Sequence, residues 1–374
     1  MDASGQLHQA SSGQEPVSSF ILRLHQEDIN ALSFSPDGKH LFSCDSQGYV
    51  AVWSLESFRP MFFWKAHSAS VLNIEGWQRQ VVTQGRDNLI HGFEVPQHPP
   101  ALQGTHPSHG NEAALTPKFS IETNAVTHCK LSLLGLLHEE AWIAVPAVLE
   151  DDKVDIVHLP SEKRVVRSIG SGLWPADNKT GTCMALKLYQ ASRQIRLLVG
   201  YEDGRLALFA TDSRHLDHVR SQESEGWTLL WHGKGHKEPI MALALEPTAT
   251  HAWTVSADHL VCRWRLPSKS DEPGKVDKLV TDHPGRSSIA IRDDSKILAI
   301  GGWDGSVRVH SVRSFKALAV LQLHRDTVHV VAFAPLTPPK QLGEEGAPSP
   351  RAWLAVAGKD QRISLWELYP PRTS

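Results

Sequence analysis

No run of about 18 apolar residues occurs in this sequence, which leaves no candidate for a membrane-spanning helix. The opening Met-Asp-Ala-Ser-Gly-Gln has neither the basic stretch nor the apolar stretch of a secretory leader. Positive charge is not in excess: 38 Lys and Arg stand against 41 Asp and Glu, a net charge of −3. Without a polybasic field to release counterions from phosphate, direct nucleic-acid binding is not expected. Cysteine is scarce. Cys44, Cys129, Cys183 and Cys262 lie far apart, in or beside predicted strands, where thiols pack as small hydrophobes. That spacing fits a reducing compartment and supplies neither a disulfide framework nor a structural zinc site.

Reactive-site motifs are missing as well. There is no Gly-x-Ser-x-Gly elbow, no phosphate-cradling Gly-x-x-x-x-Gly-Lys-Ser/Thr loop and no His-Glu-x-x-His. The string Gly301-Gly302-Trp303-Asp304-Gly305 enters a predicted hairpin, not a helix, so it is no dinucleotide-binding turn. The histidines number 21, yet the pair in the first long loop, His106 and His109, makes no closed metal site. The chain is expected to be non-enzymatic, with no cofactor and no metal.

What the sequence does contain is a repeat. Seven times an acidic or amide residue stands six positions before an aromatic or a histidine: Gln47/Trp53, Asp87/Phe93, Asp152/His158, Asp203/Phe209, Asp258/Trp264, Asp304/His310 and Asp360/Trp366. The first member suits a tight turn, and Asp203-Gly204 and Asp304-Gly305 are strong hairpin signals because Gly accepts positive φ. Between turn and ring the residues alternate, as in Val50/Val52, Leu206/Leu208, Val307/Val309 and Ile363/Leu365, which gives each strand one apolar face. Upstream, His25, His67, His236, His283 and His324 each precede an apolar strand, 28, 26, 28, 27 and 42 residues before the closing ring. These five are expected to be hydrogen-bonded within their units, and the third unit has no such His.

Successive closing positions are 40, 65, 51, 55, 46 and 56 residues apart, which fits a plain four-stranded blade of about 40 residues with surface loops added. Early His, turn Asp and terminal Trp match the WD40 signature. The expected fold is all-β, a seven-bladed WD40 β-propeller over residues 17–370. Residues 1–16, polar and rich in Ser, Gln and Gly, are expected to be a disordered tail. Loop insertions are expected at 97–117, 213–225, 267–278 and 336–350. The last unit stops just after Trp366 and lacks an outer strand, so the strand-like run from Val17 to Leu24 is expected to complete the seventh blade and remove an exposed edge.

With catalysis set aside, surface remains. In such a ring the Asp turns and His loops open on one rim, and the residue before each turn Asp is expected to be exposed there. Arg86, Glu202, Trp303 and Lys359 are the protein-binding candidates, with Trp303 foremost because an indole beside Arg and Lys has the character of an anchor. The alternative for Trp303 is plain packing on a neighbouring blade.

Four strings go beyond generic blades: Thr83-Gln84-Gly85-Arg86-Asp87, Leu198 to Gly204, Lys296 to Asp304, and Ala357 to Pro370 with Trp366 near its end. On these the chain resembles the ASTRA-associated protein 1 family, fungal relatives of the guanine nucleotide-binding protein subunit beta-like protein 1, from about Ser18 to Pro370. The resemblance implies a non-catalytic scaffold subunit in the nucleus, in a complex like ASTRA. Its implied partners are co-chaperone components for phosphatidylinositol-3-kinase-related kinases and RuvB-like ATPases, with a link to chromatin remodelling, one copy entering a hetero-complex. Two other binding roles stand beside it. One is a reader of histone or phosphorylated peptides through the same four rim residues. The other is a ubiquitin-ligase substrate receptor, disfavoured because Trp53, Trp264 and Trp366 are followed by Ser54, Arg265 and Glu367 where such receptors show Trp-Asp-x-Arg. A heterotrimeric G-protein β subunit is discarded, since residues 1–16 are too short for a coiled coil and have no heptad seam.

Overall fold

Short alternating runs of Val, Ile, Leu and aromatics, punctuated by Gly, Asp and Ser turns, fold here into strands alone. The computed structural model describes residues 18–96, 115–136, 140–174, 179–212, 226–267, 274–336 and 352–369. Among them are 28 strands and no helix. The first strand, β1 (Phe20–Leu22), stands apart from the regular order. Blade one is β2 (Ile29–Phe34), β3 (His40–Asp45), β4 (Tyr49–Ser54) and β5 (Pro60–Lys65). Blade two is β6 (Val71–Trp77), β7 (Gln80–Gly85), β8 (Leu89–Glu94) and β9 (Phe119–Glu122). Blade three is β10 (Ser132–Gly135), β11 (Ala141–Pro146), β12 (Val154–Leu159) and β13 (Lys163–Ile169). Blade four is β14 (Cys183–Ala191), β15 (Gln194–Tyr201), β16 (Arg205–Asp212) and β17 (Thr228–Lys234). Blade five is β18 (Ile240–Leu245), β19 (His251–Ser256), β20 (Leu260–Arg265) and β21 (Lys275–Val280). Blade six is β22 (Arg286–Ile291), β23 (Ile297–Gly302), β24 (Ser306–Ser311) and β25 (Ala317–Gln322). Blade seven holds β26 (Val328–Phe333), β27 (Trp353–Gly358) and β28 (Ile363–Glu367), in the sheet order β1-β28-β27-β26.

The ring closes as expected. β1 pairs antiparallel with β28, Phe20 opposite Leu365 and Leu22 opposite Ile363, and Ser19 N–H donates to the Leu365 carbonyl at 2.8 Å. Leu22 is buried there, while Phe20 stacks on Phe58 of the β4–β5 turn with centroids 3.7 Å apart. The amino-terminal strand therefore joins blade seven to blade one as well as filling the vacant edge.

Apolar burial is distributed around the ring. Each of seven buried clusters spans two adjacent blades: Phe42 and Trp64 of blade one meet Ile74 and Phe93 of blade two, and Trp53 meets Ala355 and Leu365 across the closure. The remaining five clusters join blades two and three, three and four, four and five, five and six, and six and seven. Twisted sheets facing one another at every interface explain why the 12 Trp suffice for a chain of 374 residues that has no single centre.

The stretch 267–278 departs from its expected form, because Lys275–Lys278 are part of β21 and pair with Arg265, Trp264, Arg263 and Cys262. An outermost strand shows most of its side chains to water, and β21 is largely exposed; its charge imitates a loop. Residues 1–16, 213–225 and 337–350 lie outside the described residues, as does 97–114 of the second-blade loop.

Candidate functional site

The end of the ring that carries the Asp turns is organised by a repeated set of hydrogen bonds. In blade five His236, 1% exposed, meets Asp258 through Nδ1 at 3.1 Å and the Thr254 hydroxyl through Nε2 at 2.8 Å, and the Trp264 indole N–H donates to that same hydroxyl at 2.8 Å. Blade two repeats this with His67, Asp87 and Thr83. Its closing Phe93 has no N–H to add. Blade seven uses His324, Asp360 and Ser364, with Trp366 donating to Ser364. In blade one the turn residue of the repeat, Gln47, is not the partner: His25 meets Asp45 at 2.7 Å, while Ser43 links it to Trp53. Asp45 stands two residues nearer the strand and accepts from the amides of Gln47 and Tyr49, so it also shapes the turn.

Burial pushes the His67 and His236 imidazoles below their ordinary value of 6.5, against the opposing pull of Asp87 and Asp258. Burial would raise Asp87, but His67 and the amides of Ser68 and Leu89 hold it below the usual carboxylate value. His67, Asp87 and His91 have ligand atoms within 4.8 Å of one another. Both ring nitrogens of His67 are already engaged by Asp87 and Thr83, and His91 is bonded to Ser120. A cation there would have to displace the blade's own bonds.

The turns also join neighbouring blades. Gly204 and Gly305 have φ of 83° and 75°, and a Cβ on either would fall 2.4 Å and 2.6 Å from the carbonyl oxygens of His236 and His324 in the following blade. Only a residue without a side chain lets those backbones meet.

Blade six breaks the pattern. His283 is exposed and does not reach Asp304, a departure from its expected role. The hydroxyl elsewhere comes from four residues before the turn Asp, as with Thr83 and Thr254, or four after it, as with Ser364; these positions are Ile300 and Arg308 here, so a buried imidazole would find no hydroxyl for its second nitrogen. Arg308 takes the carboxylate instead, its Nη1 and Nη2 donating to the two oxygens of Asp304 at 3.2 and 2.7 Å. Burial would raise Asp304, and Arg308 with the Ser306 amide holds it down. Burial and the like charge of Arg308 depress Arg286, the first residue of β22. Blade four also lacks the His, and Trp174, ahead of the blade, fills its apex: the ring meets Tyr201 and Phe209, and the Arg205 guanidinium lies 5.5 Å over it.

Arg86, Glu202, Trp303 and Lys359 are all exposed. Each donates its backbone N–H to the residue just before its blade's inner strand: Ser70, Thr182, Gly285 and Thr327 respectively, at 2.8 to 3.1 Å. Trp303 and Lys359 come together, because the carbonyl of Trp303 accepts from the Thr327 hydroxyl while Lys359 N–H donates to the Thr327 carbonyl. Trp303 is 47% exposed and rests on Gly285, where a Cβ would be 2.5 Å from its ring. The Lys359 ammonium lies 3.6 Å from Asp326. Arg86 stands on blade two, where its charge acts on His128. Glu202, on blade four, spends its carboxylate on the amide and hydroxyl of Thr182. Sequence reading passed over Arg286, Arg308 and Gly285. The visible signal was Ile300 together with Arg308, which leave both hydroxyl positions of blade six without one.

Among known proteins, the WD domain, G-beta repeat family matches residues 15–54 and 275–311. ASTRA-associated protein 1 of Verticillium alfalfae is 30% identical across 93% of this chain and 92% of its own length. The protein of that name from Aspergillus flavus is 29% identical across 95% and 98%. Guanine nucleotide-binding protein subunit beta-like protein 1 of Mus musculus is 30% identical across 95% and 97%.

Proposed function

Since this chain belongs to the WD40 family of ASTRA-associated protein 1 and the guanine nucleotide-binding protein subunit beta-like protein 1, we propose that it is a non-catalytic scaffold subunit of a nuclear assembly resembling the ASTRA complex. In that role it supports maturation of phosphatidylinositol-3-kinase-related kinases and chromatin remodelling, beside co-chaperone components and RuvB-like ATPases. The observation that carries a docking role is the junction of blades six and seven, where Trp303 and Lys359 are both exposed and their backbones are both held by Thr327. A half-exposed indole on a rigid support binds with little loss of side-chain freedom.

Affinity purification of the full chain from its native cells, followed by crosslinking mass spectrometry, tests this. Kinase-maturation and RuvB-like components are expected in the eluate, with crosslinks at Lys359. An eluate holding neither class of protein would sink the reading.

A further inference from the structure

Blade six keeps a buried charge that its own residues do not satisfy. Arg286 is 1% exposed, and its Nη1 has no hydrogen-bond partner among the described residues. An orphaned buried donor destabilises the fold, and more so when it carries charge. The nearby carboxylate, Asp304, is committed through both oxygens to Arg308. Asp282 also acts on Arg286, but it is exposed and screened by solvent. Two guanidinium groups thus share one well-placed carboxylate, and one positive charge is left over. Gly285, the residue before Arg286, is the seat of the exposed Trp303 ring.

We propose that this rim captures an acidic side chain from an extended segment of a partner protein, the carboxylate going to Arg286 and a flanking apolar residue stacking on Trp303. Guanidinium presents paired N–H donors that match a carboxylate. One carboxylate balances the single surplus charge, whereas a phosphate at about −1.5 to −2 would overshoot it. Solvent reaches Asp304 and Arg308, whose side chains are 40% and 19% exposed, while Arg286 is 1% exposed, so the incoming carboxylate has to turn one of the two aside to reach it. The proposal rests on the rim-docking reading above and names the chemistry of the partner at that surface.

The test is calorimetric titration of the full chain with capped pentapeptides whose central Glu is flanked by Pro, Leu or Tyr. At least one is expected to bind, and its Gln counterpart to bind about ten- to hundredfold more weakly. Arg286→Met is expected to lose the Glu preference and, freed of an unpaired buried charge, to unfold at a higher temperature. Trp303→Ala is expected to weaken the Glu and Gln peptides alike with the unfolding temperature unchanged. No binding by any Glu peptide, equal binding of Glu and Gln, or a preference that survives Arg286→Met overturns the proposal. So does an Arg286→Met protein that unfolds earlier or does not fold, since the arginine would then be structural. Tighter binding of the phosphoserine counterpart than of the Glu peptide also overturns it. None of these outcomes touches the eluate of the purification experiment, so the two readings fail separately.

Discussion

At the scale of single residues, the buried hydroxyls are the joints of this molecule. The neutral His236 ring gives its Nδ1–H to Asp258, so the Thr254 hydroxyl donates to Nε2 and accepts from the Trp264 indole N–H, and Thr254→Val leaves one buried acceptor and one buried donor unpaired. A loss of about 2 kcal/mol or more is expected, read as a lower urea midpoint. The imidazoles add a pH dependence of definite sign. His67, His91, His236, His310 and His329 all sit below 6.5 because burial disfavours their charged form. Between the folded and unfolded values the unfolded chain binds more protons, so their contribution is complete above 6.5 and is lost as pH falls toward the lower folded values. The urea midpoint is expected to drop between about pH 7 and about pH 5. A midpoint that rises on acidification would contradict the neutral rings. Much of this network was legible from offsets, because a His some 26 to 28 residues before a Trp or Phe reads as one blade closing on itself. Offsets say nothing of the third partner. His283 has the right spacing, but Ile300 and Arg308 offer it no hydroxyl, and in blade one the amide Gln47 holds the place in the count while Asp45 holds the histidine.

Among the elements, β1 bears the heaviest consequence for its size. It has three residues, yet Leu22 is packed in the cluster that joins blade seven to blade one. Leu22→Asp places a carboxylate in that apolar seam, and unfolding at a markedly lower temperature, with aggregation through the uncovered β28, is expected. Light scattering during a thermal ramp checks both. A variant as stable as the parent would mean the closure is dispensable. The strand was readable in advance because the last unit was visibly one strand short. β21 was harder to see, since an outermost strand has water on much of its surface and no apolar face to advertise it. Trp174 shows a different limit: it enters the apex of blade four from a loop, outside any strand period, and only the fold brings it to Arg205.

For the whole molecule, the shared clusters make each blade depend on both neighbours, and cross-blade ties reinforce this. Arg196 of blade four donates to the Pro267 carbonyl between β20 and β21 of blade five, and Arg292, just past the end of β22 in blade six, donates to the carbonyls of Leu368 and Tyr369 just after β28. Far-ultraviolet and near-ultraviolet circular dichroism are therefore expected to report one coincident unfolding transition. Two separated transitions would mean that blades melt independently. The pairing of β1 with β28 also imposes an order on biosynthesis. The Phe-Ile-Leu strand leaves the ribosome before the other strands of the ring and its partner after them, and at about 5–20 residues per second the wait is roughly tens of seconds. Throughout that interval the nascent chain displays an adhesive apolar strand and an incomplete circle, so the ring cannot close until β28 has been made, and a holding chaperone is the natural guardian of the delay.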